Sequence, residues 1–534
     1  MSATDQDRDV AAVTFDRDEE IVVVVGSGPG GGTLANELCQ NGIDVVLFDA
    51  GPRYDYLTDF ENDPYLMDQL LSWRDQRRTT GDHPLVRDWP DLPGLQVKAV
   101  GGCSIHWVGN CPRLQAHEMK ARSTYGEISG ANLMDWPIEF DDIEPYYERA
   151  EDRMGVAGSK GIPQMPPNNM SKLMRAAARR VGYTNFHNGR VAINQVPRGG
   201  RNACDEIGFC MSGCKSGAKW STLYTEIPTA EATGRCEVRA KSMVLQVHHN
   251  EAGRVTGVLY VDEQGDQHFQ KARLVCLACN SIEGPRLLLN SASAKFPDGL
   301  ANSSGLVGKH HMIHVNAQVF ATFDKPVNFH RGRVGAGTIE DEIRFDPSRG
   351  FAGGYYFLAT GGVGLPGLAD WMAPKQWGRD VASLFESYAH MACMYILGED
   401  MPLEQNRITL HPTEKDRHGL PIPLVNMDES RNEIAMKSHA YKQGTALVEA
   451  LNPNSVVEAP MGPASHNMGT NRMADDPRDG VVNRWGQSHD ISNLFVSDGS
   501  QFTTSGAANP TLTIVALAIR QAEYIVEKMR SNEI

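Results

Sequence analysis

The sequence has no apolar run approaching the ~20 residues that a membrane-crossing helix needs. Its opening stretch, MSATDQDRDVAAVTFDRDEE, carries neither an apolar signal core nor a twin arginine. Positive charge is short as well: 51 Lys and Arg stand against 66 Asp and Glu, a formal net charge of -15. That balance argues against nucleic acid or an anionic membrane as the main partner, since both are held by a positive field. Cysteine is sparse, ten in 534 residues and mostly isolated, which is not the density of a disulfide scaffold. Internal repeats and low-complexity tracts are absent. On this chain alone the expected compartment is the cytoplasm, although export on a partner subunit would leave no mark here.

What is present is ordinary for a globular protein, at 41% hydrophobic and 22% charged residues. A chain of 534 residues is too long for one simple core, so two domains or one elaborated fold are expected. The 52 glycines imply many tight turns or close approaches of backbone to a ligand.

The first such approach follows IVVVV at residues 21 to 25, a β-branched run that reads as a buried parallel strand. GSGPGG comes next and sets Gly26, Gly28 and Gly31 in a G-x-G-x-x-G pattern, followed by a helical stretch ending at Gly42 and a second strand ending at Asp49. Gly26 permits the tight turn, Gly28 lets backbone approach a pyrophosphate, and Gly31 lets helix and strand pack closely. The helix N-terminus holds phosphates, and Asp49 can accept from ribose hydroxyls. The context indicates a dinucleotide. It does not separate NAD from FAD, although the position at the N-terminus with DAG ending the second strand is similar to FAD-dependent oxidoreductases.

The C-terminal block SHNMGTNRMADDPRDGVVNRWGQSHDISNLFVSDGSQFTTSGAANPTLTIVALAIR resembles the glucose-methanol-choline (GMC) oxidoreductase family. AVGGCSIHW at 99 to 107 and GLVGKHHMIH near 305 to 314 extend the resemblance over most of the chain. It implies FAD, and it implies alcohol oxidation in which a hydride passes to flavin N5 while a base takes the hydroxyl proton. Histidine suits that base because it titrates near neutrality. By the family motif the base is His466, and Asn509 holds the substrate oxygen, unless it serves only as a helix cap. Asp498 ends a strand beside the flavin ribityl chain. Pro510 and Thr511 open a long amphipathic helix whose free amides and dipole face the flavin pyrimidine edge.

The same resemblance makes Gly101, Gly102 and Ser104 part of a second flavin loop. His106 in that loop either packs noncovalently or bonds the flavin, as a histidine does in the similar string of pyranose oxidases. Val244 would carry adenine-contacting backbone. The family usually has glycine where this chain has Asn280, and asparagine tolerates the left-handed backbone such a turn needs.

Three cysteines crowd into CDEIGFCMSGC, residues 204 to 214. The C-x5-C-x3-C spacing of Cys204, Cys210 and Cys214 is similar to the catalytic subunits of bacterial sugar and sugar-acid dehydrogenases, in one of which it holds a [3Fe-4S] cluster. Thiolates are the ligands such clusters take. Zinc, which would need a fourth ligand, and a disulfide with one free thiol are the alternatives. The remaining seven cysteines read as small buried residues.

The expected architecture is α/β: a Rossmann-like FAD domain from 18–115, 200–314 and 456–534, and an α+β substrate domain from 116–199 and 315–455 built on an antiparallel sheet. Stretches such as NAQVFATFD, GGYYFLATGG and NRITLHP read as its strands, and 362 to 380 as a loop or lid. Trp371, Trp377 and Tyr388 are candidates for stacking on a sugar, or core aromatics. The resemblance implies a dehydrogenase of sugars, glycosides or sugar acids that passes electrons through the cluster to a cytochrome. A small helper subunit would carry the export signal, giving a periplasmic or membrane-associated complex. An oxygen-using oxidase, a non-redox lyase and a binding module without chemistry are the competing functions.

Overall fold

The computed structural model describes residues 14–15, 20–63, 77–88, 96–361, 377–459 and 465–534. Among these, no helix is long and apolar enough to cross a membrane.

The centre is a five-stranded parallel sheet in the order Leu494–Val496, Leu274–Leu277, Val22–Val25, Val45–Phe48 and Cys236–Arg239. Its strands are short apolar runs covered on both faces, as a parallel sheet requires. The helix Pro29–Gln40 follows the first strand, with proline in its first turn where a missing N–H costs nothing. It packs against the C-terminal helix Thr511–Arg530. A three-stranded antiparallel sheet, Met243–His249, Val255–Val261 and Gln267–Lys271, sits beside this layer.

The second layer is a six-stranded antiparallel sheet in the order Ser455–Ala459, Val315–Thr322, Met391–Gly398, Tyr355–Thr360, Gly335–Ile339 and Phe186–His187. One face is covered by the helices Asn169–Val181 and Arg431–Glu449, whose Met170, Met174, Met436 and Leu447 pack with Val319 and Phe357. The period of two sends neighbouring tyrosines to opposite faces. Tyr355 bonds His439 on the covering helix, whereas Tyr356 reaches the other face and bonds Asn509. Two of the expected strands, 315–322 and 355–360, lie in this sheet. The third, Arg407–Lys415, pairs instead with Pro421–Asn426 in a separate sheet that also takes Arg78–Thr80.

Candidate active site

A cleft opens against the parallel-sheet layer. Its wall includes Gly26, Gly28, Asp49, Gly102 and His106, then Val244, Asp498, Pro510 and Thr511, and at its far end His466 and Asn509. Gly26 adopts φ +100°, and a Cβ there would stand 2.3 Å from the Ala278 carbonyl oxygen, so the turn requires glycine. A Cβ on Gly102 would come within 2.8 Å of the Gly28 Cα, so the two glycine loops touch. Gly31, Gly101 and Ser104 do not form the wall but brace it from behind. Ser104 donates to the Gly101 carbonyl at 2.6 Å and contacts Ser221. Asp49 accepts from the Ser27 hydroxyl at 2.5 Å and the Gly51 amide at 2.9 Å.

Asn280 takes the left-handed backbone with φ +74°. Its amide donates to Asp498 at 2.8 Å, and its side-chain oxygen accepts from the Ile282 and Glu283 amides. The asparagine therefore makes the turn and caps the helix that starts there.

At the far end the hydrogen bonds orient every group. Asn509 Oδ1 accepts from Asn110 Nδ2 at 2.7 Å and from the Tyr356 hydroxyl. Its Nδ2 therefore faces His466 Nε2, 3.2 Å away, and that nitrogen must present a lone pair. The proton of His466 then sits on Nδ1 and is donated to His314 Nδ1 at 2.8 Å. Burial pushes the His466 imidazole down to about 4, so it is neutral near pH 7. A neutral imidazole whose Nε2 carries a lone pair on the cleft wall is what a general base needs. The Asn509 side chain is spent on this network rather than on capping the C-terminal helix.

The cysteine loop meets the same cleft. Met211 lies on the wall, and its carbonyl accepts from His106 Nδ1 at 2.7 Å, which leaves the His106 Nε2 lone pair without a partner. Cys204, Cys210 and Cys214 lie in one cluster, and none is in a disulfide. The Glu206 amide donates to Cys204 Sγ and the Lys219 amide to Cys214 Sγ, both at 3.4 Å. Lys219 is 1% exposed, and its ammonium donates to the carbonyls of Ile105, Trp107 and Cys210 at 2.6–2.7 Å. Burial lowers that ammonium to about 8 and pushes the Cys204 thiol up to about 12.

Two GMC oxidoreductase family models match the chain, over residues 95–316 and 402–518. The chain belongs to the GMC oxidoreductase family. Membership implies FAD and makes this protein an oxidoreductase acting on CH–OH donors. Similar proteins include a 2-methyl-1,2-propanediol dehydrogenase of Mycolicibacterium austroafricanum, 34% identical with 96% of each chain covered. The fructose dehydrogenase large subunit of Gluconobacter japonicus is 30% identical, covering 96% of this chain and 98% of its own. The gluconate 2-dehydrogenase flavoprotein of Pantoea cypripedii is 26% identical, at 96% and 94%. The crystal structure of pyridoxine 4-oxidase from Mesorbium loti shares the fold, with a TM-score of 0.62 at 15% identity over 94% and 98% of the two chains.

In this GMC oxidoreductase the sequence motifs had not singled out Asn110, His314 and Tyr356, which join His466 and Asn509 only through folding. GLVGKHHMIH did contain His314, but three histidines stand in that string and only the fold selects one. Of the candidate stacking aromatics, Trp377 is 88% exposed and Tyr388 stacks on His330 at 4.8 Å, and neither lines the cleft. Trp371 and most of the expected lid, residues 362–376, lie outside the described residues.

Proposed function

We propose that this GMC oxidoreductase is a dehydrogenase of polyhydroxy compounds, with sugars, glycosides and sugar acids as its leading substrate class. The observation that carries the reading is the His466–Asn509 pair, whose hydrogen bonds turn a neutral imidazole lone pair toward the end of a dinucleotide-binding cleft. His466 Nε2 takes the hydroxyl proton, and Asn509 Nδ2 holds the same oxygen in place. Bound FAD supplies the hydride acceptor. Gly26, Gly28, Asp49, Val244 and Asp498 would hold its dinucleotide, and Gly102, His106, Pro510 and Thr511 its ring. The two-layer division into the flavin segments 18–115, 200–314 and 456–534 and the substrate segments 116–199 and 315–455 belongs to the same reading.

The cysteine loop fits a [3Fe-4S] cluster held by Cys204, Cys210 and Cys214. The fit rests on the donor set: three thiols in one cluster, amide N–H donors on Cys204 and Cys214, and a fully buried ammonium beside them. Such a cluster passes electrons singly, which suits a cytochrome acceptor on a partner subunit. A helper subunit would then account for a periplasmic or membrane-associated location. The fructose dehydrogenase relative is by name the large subunit of an assembly.

A second reading takes a small vicinal diol as substrate, favoured by the 34% identity to the 2-methyl-1,2-propanediol dehydrogenase. The deciding measurement is iron and acid-labile sulfide on anaerobically purified protein, with low-temperature EPR, followed by a panel of sugars and diols with artificial acceptors and with oxygen. Flavin without iron, together with peroxide production, overturns the dehydrogenase reading in favour of an oxidase. Turnover of diols alone overturns the sugar assignment.

A further inference from the structure

Behind His466, and separate from the cleft, lies a second chamber of about 10 Å³. Its wall includes His314, Asn316, Asp400 and Glu433. Three buried polar atoms of these residues have no hydrogen-bond partner: His314 Nε2, Asn316 Oδ1 and Glu433 Oε1. Their residues are 0%, 4% and 3% exposed. The His314 ring also lies beside the backbone of Ser505 and Gly506, and the Asp400 amide donates to Ser505 Oγ at 2.9 Å. An orphaned buried polar atom is costly, and three around a space near the ~10–15 Å³ that one water needs define a water site.

Two carboxyls face this chamber. Asp400 accepts from the Ile313 amide at 2.6 Å and the Met401 amide at 3.0 Å. Glu433 accepts from the Ser430 amide at 2.7 Å, in the capping box of the helix that opens at Arg431. Burial raises both, and the Glu433 charge raises Asp400 further. Backbone amides favour the ionised form of each carboxyl, those of Ile313 and Met401 on Asp400 and that of Ser430 on Glu433. The other ionisable groups on the chamber are His83, Asp428, Glu429 and Lys437, the last two paired with each other.

We propose that the chamber holds one ordered water and that His314 and Glu433 act through it as positioning residues for His466, fixing its proton on Nδ1 and meeting the positive charge it gains. The inference rests on His466 being the base. In the reaction the substrate O–H bond breaks and an N–H bond forms at His466 Nε2, leaving an imidazolium whose Nδ1–H points to His314. Glu433 faces the chamber from the far side, in the role a buried carboxylate plays behind a catalytic histidine.

Glu433→Gln tests this, because glutamine keeps the capping box and removes the charge. The expected result in the flavin-loaded enzyme is a kcat lowered about tenfold with KM unchanged. The acid limb of the pH profile should move to lower pH, since loss of a nearby anion weakens the base. Glu433→Asp should restore the limb. A Glu433→Gln enzyme with wild-type kcat and acid limb, or with lower kcat and an unmoved limb, overturns the proposal. A crystal structure of the wild-type enzyme is the second test and needs no variant. A water within hydrogen-bond reach of both His314 Nε2 and Glu433 Oε1 is expected, and a dry chamber, or a water that reaches only one of the two, overturns the proposal. Full activity in His466→Ala would instead overturn the base assignment beneath it.

Discussion

The two ends of the cleft handle buried charge in opposite ways. At the His466 end, burial is met by neutrality: the imidazole is held near 4, and its neighbours Asn509, Tyr356 and Asn110 are uncharged. At the cysteine end, a buried ammonium stands beside three thiols, and Cys204 is pushed up to about 12. Buried charge without a partner is expensive. The first end is neutral throughout, whereas the second buries a cation, held by the carbonyls of Ile105, Trp107 and Cys210, beside three thiols. The base end should therefore be rigid before substrate arrives, and the cysteine end should depend on what it binds.

The largest expected effect is at the neutral end. His466→Ala should lower kcat/KM by about 10²–10⁴-fold, the range a positioned general base contributes. Flavin content should stay at the wild-type level, read from the visible spectrum. A fall below tenfold would remove His466 from the chemistry and with it the contrast between the two ends.

Next comes the charged end. Cys204→Ser should abolish bound iron and slow transfer to one-electron acceptors at least about tenfold, while substrate still reduces the flavin in a single anaerobic turnover. Iron analysis paired with stopped-flow bleaching checks both halves. Loss of both functions together would mean that the loop is a structural support for the cleft.

The third effect concerns the fold. Burial lowers His83, His311 and His466 to about 4, His106 to about 3 and His310 to about 2, each from an unfolded value of 6.5. In the window between about 4 and 6.5 the unfolded chain binds more protons than the folded one, so stability rises with pH there. The contribution is complete above pH ~6.5 and is lost as pH falls toward 4. Thermal melts at fixed ionic strength should show Tm falling through that window, and a flat profile would sink the account of these histidines as buried and neutral.

Legibility in the sequence followed the same divide. The parallel sheet and the glycine loops were readable because each short apolar run is followed by a turn whose geometry only a few residues allow; even the Asn280 departure resolved as asparagine chemistry predicts. His466 and Asn509 were readable from a motif. Asn110, Tyr356 and His314 were not, because they converge from separate loops and strands, and no local period marks a side chain that acts across 399 residues, the separation of Asn110 and Asn509. The hairpin strand 407–415 read correctly as a strand but joined a different sheet, since period and propensity set the element and not its neighbour. Gly101 and Ser104 read as ligand contacts because they adjoin Gly102, yet the turn aims them inward.

The smallest effect sharpens the account of the base end. Asn509 Oδ1 has two donors, Asn110 Nδ2 and the Tyr356 hydroxyl, and Asn110 Nδ2 also lies 2.9 Å from that hydroxyl. Tyr356→Phe removes one donor and leaves the ring packed on the same sheet face. One net hydrogen bond is worth ~0.5–1.5 kcal/mol, so kcat/KM should fall about two- to tenfold. Because Asn110 still holds the amide, its Nδ2 should continue to face His466, and the pH at which the rate halves should not move. Tyr356→Phe combined with Asn110→Ala removes both donors and frees the amide to turn. The double variant should therefore lose more than the product of the single losses, and simple additivity would show that the amide is oriented by something other than these two side chains.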